Sequence, residues 1–393
     1  MQNKRILICR YQSICEPDII EAFQKNGYEV IQFNEEIESL DYDVAYVKNL
    51  SQAILEDAFE FVFSVNFIPI ISKLCNVLKI PYVCWLVDSP VVTMYSEAVK
   101  GEYNRIFIFD RALYEQYYQK NPGNIFHLPL AVNVNHWDTA CAQITNAERV
   151  KYGGDISFVG SLYTEKCPYN QIKNMSPHLR RFLEELMDEQ QKVYGQNFLA
   201  ERLTEDIITE FQEYVSWESL PEDYEIQPAQ FIADEYLGIK ISEQERIRIL
   251  NVLAEKFSVH FYTQSDSSGL PNIIYRGSAE SRYQMPKIFR CSKINLNPTA
   301  KSIKTGISQR VWDILGCGGF LISNYQTELS EHFEPGHDLE TYSSMEELAD
   351  KCAYYLAHEE QRKKIAGNGY EKVKKYHTYE IRVQELLERI KKV

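Results

Sequence analysis

The sequence predicts an α/β protein of two doubly wound, Rossmann-like domains. Short runs rich in β-branched and aromatic residues recur along the chain, among them KRILICR (4–10), FVFSV (61–65), PYVCWLV (81–87) and RIFIF (105–109). Continuous apolar runs of this length read as strands buried on both faces. Stretches with apolar residues at helical spacing separate them, and that alternation builds a parallel sheet with helices on both sides. The 393 residues exceed what one core holds and suit two domains.

The elements follow in order. Residues 4–10 open the chain as a buried strand. Pro17 and Asp18 start a helix to Asn26, Gly27 closes it, and 28–33 returns as a strand. Residues 42–47 (YDVAYV) read as a third strand, with a helix from about Ser51. Residues 61–65, 81–87 and 105–109 are the next three strands; Asp88-Ser89-Pro90 and Asp110-Arg111 stand at the ends of the last two. Residues 127–134 lead to a linker expected at 139–151. A second α/β run begins at 155–159 (DISFV), closed by Gly160-Ser161. From 170 to about 245 the chain is acidic and helical without a strand pattern, which reads as an insertion. A helix at 246–256, strands at 258–262, 273–276 and 338–342, and helices at 345–357, 359–375 and 379–391 complete the second domain.

Composition removes several classes of function. The net charge of −14 argues against nucleic-acid binding by general attraction. Nine scattered cysteines without C-x-x-C indicate neither a disulfide framework nor a zinc site, and the eight histidines show no ligand spacing. A reducing cytoplasm is the expected location. The start MQNKRILICRYQS lacks the apolar run of a signal peptide, and polar residues interrupt the most apolar segment, 59–92, so no membrane span is expected. The first strand is not followed by G-x-G-x-x-G, which speaks against an NAD or FAD enzyme.

The most informative stretch is KINLNPTAKSIKTGISQRVWDILGCGGFLISN (293–324). Ile294 and Leu296 alternate with Asn295 and Asn297 until Pro298 stops the strand. Ile307, Val311, Ile314 and Leu315 then recur at helical spacing, and Gly318-Gly319 turns the backbone into a second strand. A strand–loop–helix–strand unit puts its loop outside the carboxyl end of the sheet, where ligands bind in open α/β folds. A helix N-terminus near Gly306 would meet an anion, most naturally a phosphate, with Lys301, Lys304 and Arg310 adding charge. Gln309, Arg310 and Asp313 share the polar face; as a bare i,i+3 pair, Arg310 and Asp313 would be worth only a few tenths of a kcal/mol.

Several segments resemble GT-B glycosyltransferases of the large group 1 class. HLPLAVNVNHW (127–137) is similar to the strand and turn that leave their first domain, DISFVGSL (155–162) to the first strand of the second, and SQRVWDILGCGGFLIS (308–323) to their nucleotide-sugar helix. Residues 332–382 resemble their C-terminal helices, and FVFSVNFIPIIS, PYVCWLVDSP and IFIFDRALYE resemble a domain of spore-maturation-type glycosyltransferases. The resemblance implies a GT-B fold with an interdomain cleft: domain 1–145, domain 146–376 with the helical insertion at about 170–245, and a helix at 377–393 that crosses back. It also implies transfer of a hexose or N-acetylhexosamine from a nucleotide sugar, UDP-linked by preference, to a glycan or protein acceptor. No cofactor and no metal are implied, because such enzymes stabilise the leaving diphosphate with helix dipole and basic side chains.

Carried over by position, Asp313 takes the place of the family's ribose-binding second glutamate and Lys166 that of its diphosphate lysine. The first glutamate falls on Thr305 and the family's arginine on Ser161, departures that leave the stereochemical outcome open. The donor-binding candidates are Gly160, Lys166, Tyr262, Asn297, Lys304, Thr305, Gly306, Gln309, Arg310 and Asp313; the catalytic candidate is Asp88. Asp88 would orient the transferred sugar or act as base, while Asp before Ser-Pro is also a common turn former. Tyr262 and Tyr275-Arg276-Gly277 close strands where the family places the base. Asp110 and Arg111 are expected as a buried pair at the cleft edge, with substrate contact the alternative, and His260 as a core histidine. The 170–245 segment would recognise an acceptor or a second subunit, leaving a homodimer open, or form a solvated cap. Two other functions stay open: a nucleotide-sugar epimerase on the same fold, and a catalytically silent nucleotide-sugar-binding or spore-coat assembly module.

Overall fold

The computed structural model describes residues 4–217 and 220–391. The chain divides into two compact units, Met1–Ala131 with Trp217–Ile226 and Thr378–Val393, and Val132–Ser216 with Gln227–His377. The first unit is built on β1 (Arg5–Cys9), β2 (Glu29–Phe33), β3 (Phe61–Val65), β4 (Tyr82–Leu86), β5 (Asn104–Ile108) and β6 (Ile125–His127), in the order β2-β1-β3-β4-β5-β6, all parallel. β3 and β4 are buried along their whole length, as strands between two helical layers must be. One face packs Leu7, Val62, Cys84 and Leu86 against Tyr46, Leu50, Ile71 and Cys75 of the helices Val44–Glu56 and Pro69–Leu78. The helix Tyr379–Ile390 belongs here too: Glu380 pairs with Lys25, the Glu380 carbonyl accepts from Asn26 Nδ2 at 3.2 Å, and Tyr379 lies edge-on to Trp85.

Two expectations are corrected. Residues 42–47 are not a strand, because Asp43 caps the helix Val44–Glu56 and its carboxylate accepts the Tyr46 N–H at 2.9 Å. Tyr46, Leu50 and Ile54 then bury at four-residue spacing. Six residues of alternation fitted either element; the capping carboxylate decides for helix. The sixth strand of the sheet is Ile125–His127. Residues 139–151 are not a linker but parts of the helices Val134–Ala142 and Asn146–Tyr152, the second started by a Thr145/Glu148 capping box.

The second unit repeats the plan with β7 (Gly154–Val159), β8 (Val259–Tyr262), β9 (Ile274–Tyr275), β10 (Ser292–Asn297), β11 (Leu321–Asn324) and β12 (Glu340–Tyr342), in the parallel order β12-β11-β10-β7-β8-β9. Ile156, Phe158, Phe261, Ile294 and Ile322 form its core with Leu250, Leu253, Leu348 and Cys352. The segment after β7 holds the helices Pro177–Gln191, Leu199–Arg202 and Glu205–Gln212. A continuous run follows in which a π-helical turn, Ile232–Leu237, joins Pro228–Phe231 to Gly238–Ala254. The helix expected at 246–256 therefore begins earlier. The segment 220–226, expected within the helical stretch, is a turn and a single bridge on the first unit: Glu97 N–H donates to Asp223 O at 2.9 Å and Glu225 N–H to Tyr95 O at 2.8 Å. Its acidity, which reads as a solvated helix, is matched there by Lys73 on Asp223 and Lys100 on Glu225.

Candidate functional site

The carboxyl ends of β8, β7, β10 and β11 bring Tyr262, Val159, Asn297 and Ser323 into one row: Tyr262 pairs with Val159 and Asn297 with Ser323, and the Asn295–Ser157 pairing sets Asn297 level with Val159. Asn297 is the knot of this edge. Its Nδ2 donates to Thr299 Oγ1 (2.8 Å) and Ser323 Oγ (3.0 Å), and its Oδ1 accepts from Ser308 Oγ (3.2 Å). The loop beyond it is fixed from several sides. Thr299 N–H donates to Asn324 Oδ1 (2.7 Å), Lys301 N–H to Ser242 Oγ (2.9 Å) and Thr305 Oγ1 to Glu328 Oε1 (2.9 Å), while Lys304 lies 3.4 Å from Asp234.

The following helix is Gln309–Gly316, so its N-terminus lies three residues past Gly306, which is buried in the loop. Ser308 is the N-cap in an extended conformation, with its hydroxyl turned to Asn297 rather than to the first-turn N–H groups. Gln309, Arg310 and Asp313 come together on this helix. Asp313 is 7% exposed; it accepts from Gln309 Nε2 at 2.9 Å and lies 3.6 Å from Arg310 Nη1. The Arg310 guanidinium also covers the Phe289 ring at 5.3 Å. The return turn is as tight as the Gly-Gly pair implies: Gly318 has φ +65°, and a Cβ on Gly319 would come within 2.7 Å of the Phe289 carbonyl. Lys301 does not join the polar face. It is buried over the Tyr194 ring at 4.1 Å, and burial lowers its pKa.

Gly160 follows β7, its N–H donating to Tyr262 O at 3.0 Å. The Tyr262 ring is buried and its hydroxyl has no hydrogen-bond partner; burial raises its pKa. Lys166 stands exposed on the turn Thr164–Lys166. Beside it, Glu165 Oε1 accepts from Ser161 Oγ (2.8 Å) and Ser265 Oγ (3.1 Å). His260 is a core histidine, as expected, with burial lowering its pKa.

Three groups escaped the sequence reading. Arg246, from the helix Gly238–Ala254, donates Nη1 to Ser161 O (2.6 Å) and Nη2 to Pro298 O (2.9 Å), so one guanidinium ties the turn after β7 to the turn after β10. Glu328 is a fully buried carboxylate beside Thr305. Glu235, on the π-helical turn, has a buried Oε1 without a partner, and burial followed by repulsion from Asp234 pushes its pKa up to about 8. No spacing marks Arg246 and Glu328, since each reaches the loop from a distant element, and on the π-helical turn it is Asp234, next to Glu235, that meets Lys304.

Asp88 belongs to the first unit, just past β4, and is exposed. Asn66, in the left-handed region at φ 57°, donates Nδ2 to Asp88 Oδ2 (2.7 Å) and accepts the Val87 N–H (3.0 Å). Asp110 is fully buried and caps the helix Arg111–Tyr118. Among the described residues, no three His, Cys, Asp or Glu side chains are grouped to hold a metal ion, and no helix is long and apolar enough to cross a membrane.

Residues 246–388 match a family model described as glycosyl transferase-like. No curated protein sequence matches the chain significantly. Among solved structures, Anabaena HepE in complex with UDP-glucose is 10% identical and aligns over 99% of this chain and 100% of its own, with a TM-score of 0.58. A glycosyltransferase from Rickettsia africae is 11% identical over 99% of this chain and 98% of that one, at 0.52. Sucrose-phosphate synthase from Thermosynechococcus elongatus is 10% identical over 99% of both, at 0.55. At these identities the likeness is one of fold, the GT-B fold with its two parallel α/β sheets.

Proposed function

We propose that this chain is a metal-independent glycosyltransferase that moves a hexose or N-acetylhexosamine from a UDP-sugar to a glycan or protein acceptor. The observation that carries the reading is the buried Asp313 carboxylate, held between Gln309 and Arg310 on the helix that follows β10, inside the segment matching the glycosyl transferase-like model. A carboxylate so placed can accept both hydroxyls of a ribose. HepE, solved with UDP-glucose, supports UDP as the carrier.

In this reading Lys166, Arg310, Lys304 and the start of the helix at Gln309 take up the charge of the departing diphosphate. Thr305, Gly306 and Asn297 shape the loop that meets it, Gly160 lets the backbone approach, and Tyr262 lies under the base. Asp88 orients the transferred sugar, or takes the acceptor proton if the reaction inverts.

The experiment is a thermal melt with UDP, GDP, TDP, ADP, NAD and buffer alone, each with and without Mg²⁺. A ligand at a hundred times its Kd adds about 2.7 kcal/mol of stability. The expected result is a shift with UDP that needs no Mg²⁺ and is lost in Asp313→Ala. If no nucleotide shifts the melt, or the shift survives Asp313→Ala, the proposed donor site is wrong.

A further inference from the structure

We propose that the open cavity at the carboxyl ends of β1 and β2 binds an uncharged saccharide. Its volume is about 740 Å³, and its lining includes Arg10, Tyr11, Gln12, Asn34, Glu35 and Glu36. Sites for small molecules span roughly 300–1,000 Å³. The winding of the sheet changes direction between β1 and β3, and the cavity lies beside that gap, over the ends of β1 and β2. Ligands of open parallel sheets bind outside the carboxyl ends of their strands, the end on which this cavity opens.

The loop after β1 is also built with strain. Gln12 has φ 62°, a left-handed conformation that costs a side chain with a Cβ and persists only where the surroundings enforce it. The enforcing group is Glu16, 1% exposed, whose carboxylate accepts the Gln12 N–H (3.0 Å), the Tyr11 N–H and Arg10 Nε (2.8 Å). Tyr11 is left 38% exposed at the cavity. A tyrosine ring offers a flat apolar face to the C–H face of a sugar, and the Gln12 and Asn34 amides both donate and accept.

Charge selects the class of ligand. Glu35 and Glu36 line the cavity, whereas Arg10 is already shared between Glu16 and Gln32, to which it donates at 2.6 Å. A phosphorylated or carboxylated ligand would meet net negative potential and a guanidinium already engaged. Hydroxyl groups need no counter-charge and can donate to the carboxylates. Only the further step, that this ligand is the acceptor of the reaction, rests on the transferase reading; the binding itself does not.

The test is saturation-transfer NMR on the full chain with methyl β-glucoside, N-acetylglucosamine, lactose and glucose 6-phosphate. At least one neutral probe is expected to bind and glucose 6-phosphate is not. Tyr11→Ala should weaken the neutral probe by about tenfold or more, the loss of roughly one good contact. Asp313→Ala should leave it unchanged, and the pair Glu35→Lys and Glu36→Lys should admit glucose 6-phosphate. Tyr11, Glu35 and Glu36 are exposed and Asp313 is buried, so each variant is first shown by its melt to be folded, and only folded variants are scored. The site is overturned if no neutral probe binds, if binding survives Tyr11→Ala or vanishes in Asp313→Ala, or if glucose 6-phosphate binds the wild type equally. Saccharide binding without any nucleotide shift would sink the transferase reading and keep this site; the reverse would do the opposite.

Discussion

The two units carry the same six-stranded parallel sheet yet finish its carboxyl edge in opposite ways. In the second unit the edge is a closed network: Asn295, Asn297, Thr299, Ser323 and Asn324 are all buried and bond to one another or to the adjoining backbone. In the first unit the edge is open. Asp88 is exposed and held by one asparagine, and the loop after β1 borders a cavity. A satisfied buried network is stiff and keeps a loop in one geometry, whereas an exposed edge can change residues without disturbing the core. Under the proposed function the stiff edge would hold the nucleotide and the open edge the second substrate.

The largest loss expected from this contrast is on Asn297. Asn297→Leu leaves the Thr299, Ser323 and Ser308 hydroxyls without their shared partner in the buried edge, at a cost of about 2–4 kcal/mol. Asn66 is equally buried, but its partners Asp88 and the Val87 N–H lie on an exposed to half-exposed turn that water can reach, so Asn66→Gly, which keeps the left-handed backbone, should cost less, about 1–2 kcal/mol. Urea unfolding of both variants measures this, and equal losses would erase the distinction between a closed and an open edge.

The next effect sharpens the comparison where the second unit is not fully satisfied. Burial, and then repulsion from Asp234, raises the Glu235 carboxyl from its ordinary 4.5 to about 8. Below pH 4.5 both the folded and unfolded states hold its proton. Between 4.5 and 8 only the folded state does, so stability falls as pH rises through that window and the full penalty is present above it. Glu235→Gln should therefore melt like the wild type at pH 4.5 and several degrees higher at pH 8.5, the shift expected of a penalty on the order of 5 kcal/mol. A difference that is constant with pH would mean the carboxyl is ionised throughout.

These sites also show what a sequence can reveal. Strands such as 61–65 and 105–109 were legible because burial on both faces demands an unbroken apolar run, and the helix around Asp313 because its apolar residues recur at one spacing. Residues 42–47 misled because alternation over so short a stretch does not separate strand from helix, and Asp43 as a cap looks like any loop aspartate. Arg246, Glu328 and Asp234 were invisible for a different reason. Each meets the 298–305 loop across tertiary contacts, and nothing local distinguishes such an arginine or glutamate from a surface one. The Trp217–Ile226 return was hidden likewise, since its partners Tyr95, Glu97 and Asp41 lie more than a hundred residues away.

The smallest effect on stability, and the most telling for function, is expected at Asp88. In Asp88→Asn the amide oxygen can still accept from Asn66 Nδ2, so the turn after β4 keeps its shape and only the charge is lost. An exposed substitution of this kind changes stability by no more than about 0.5 kcal/mol. The UDP-induced shift should also persist, because Asp88 is not among the residues proposed to hold the nucleotide. Sugar transfer should fall by about a hundredfold or more if the carboxylate acts as base. A variant that keeps both the melt and the turnover would reduce Asp88 to a turn former, and the open edge of the first unit would then contribute only binding to the reaction.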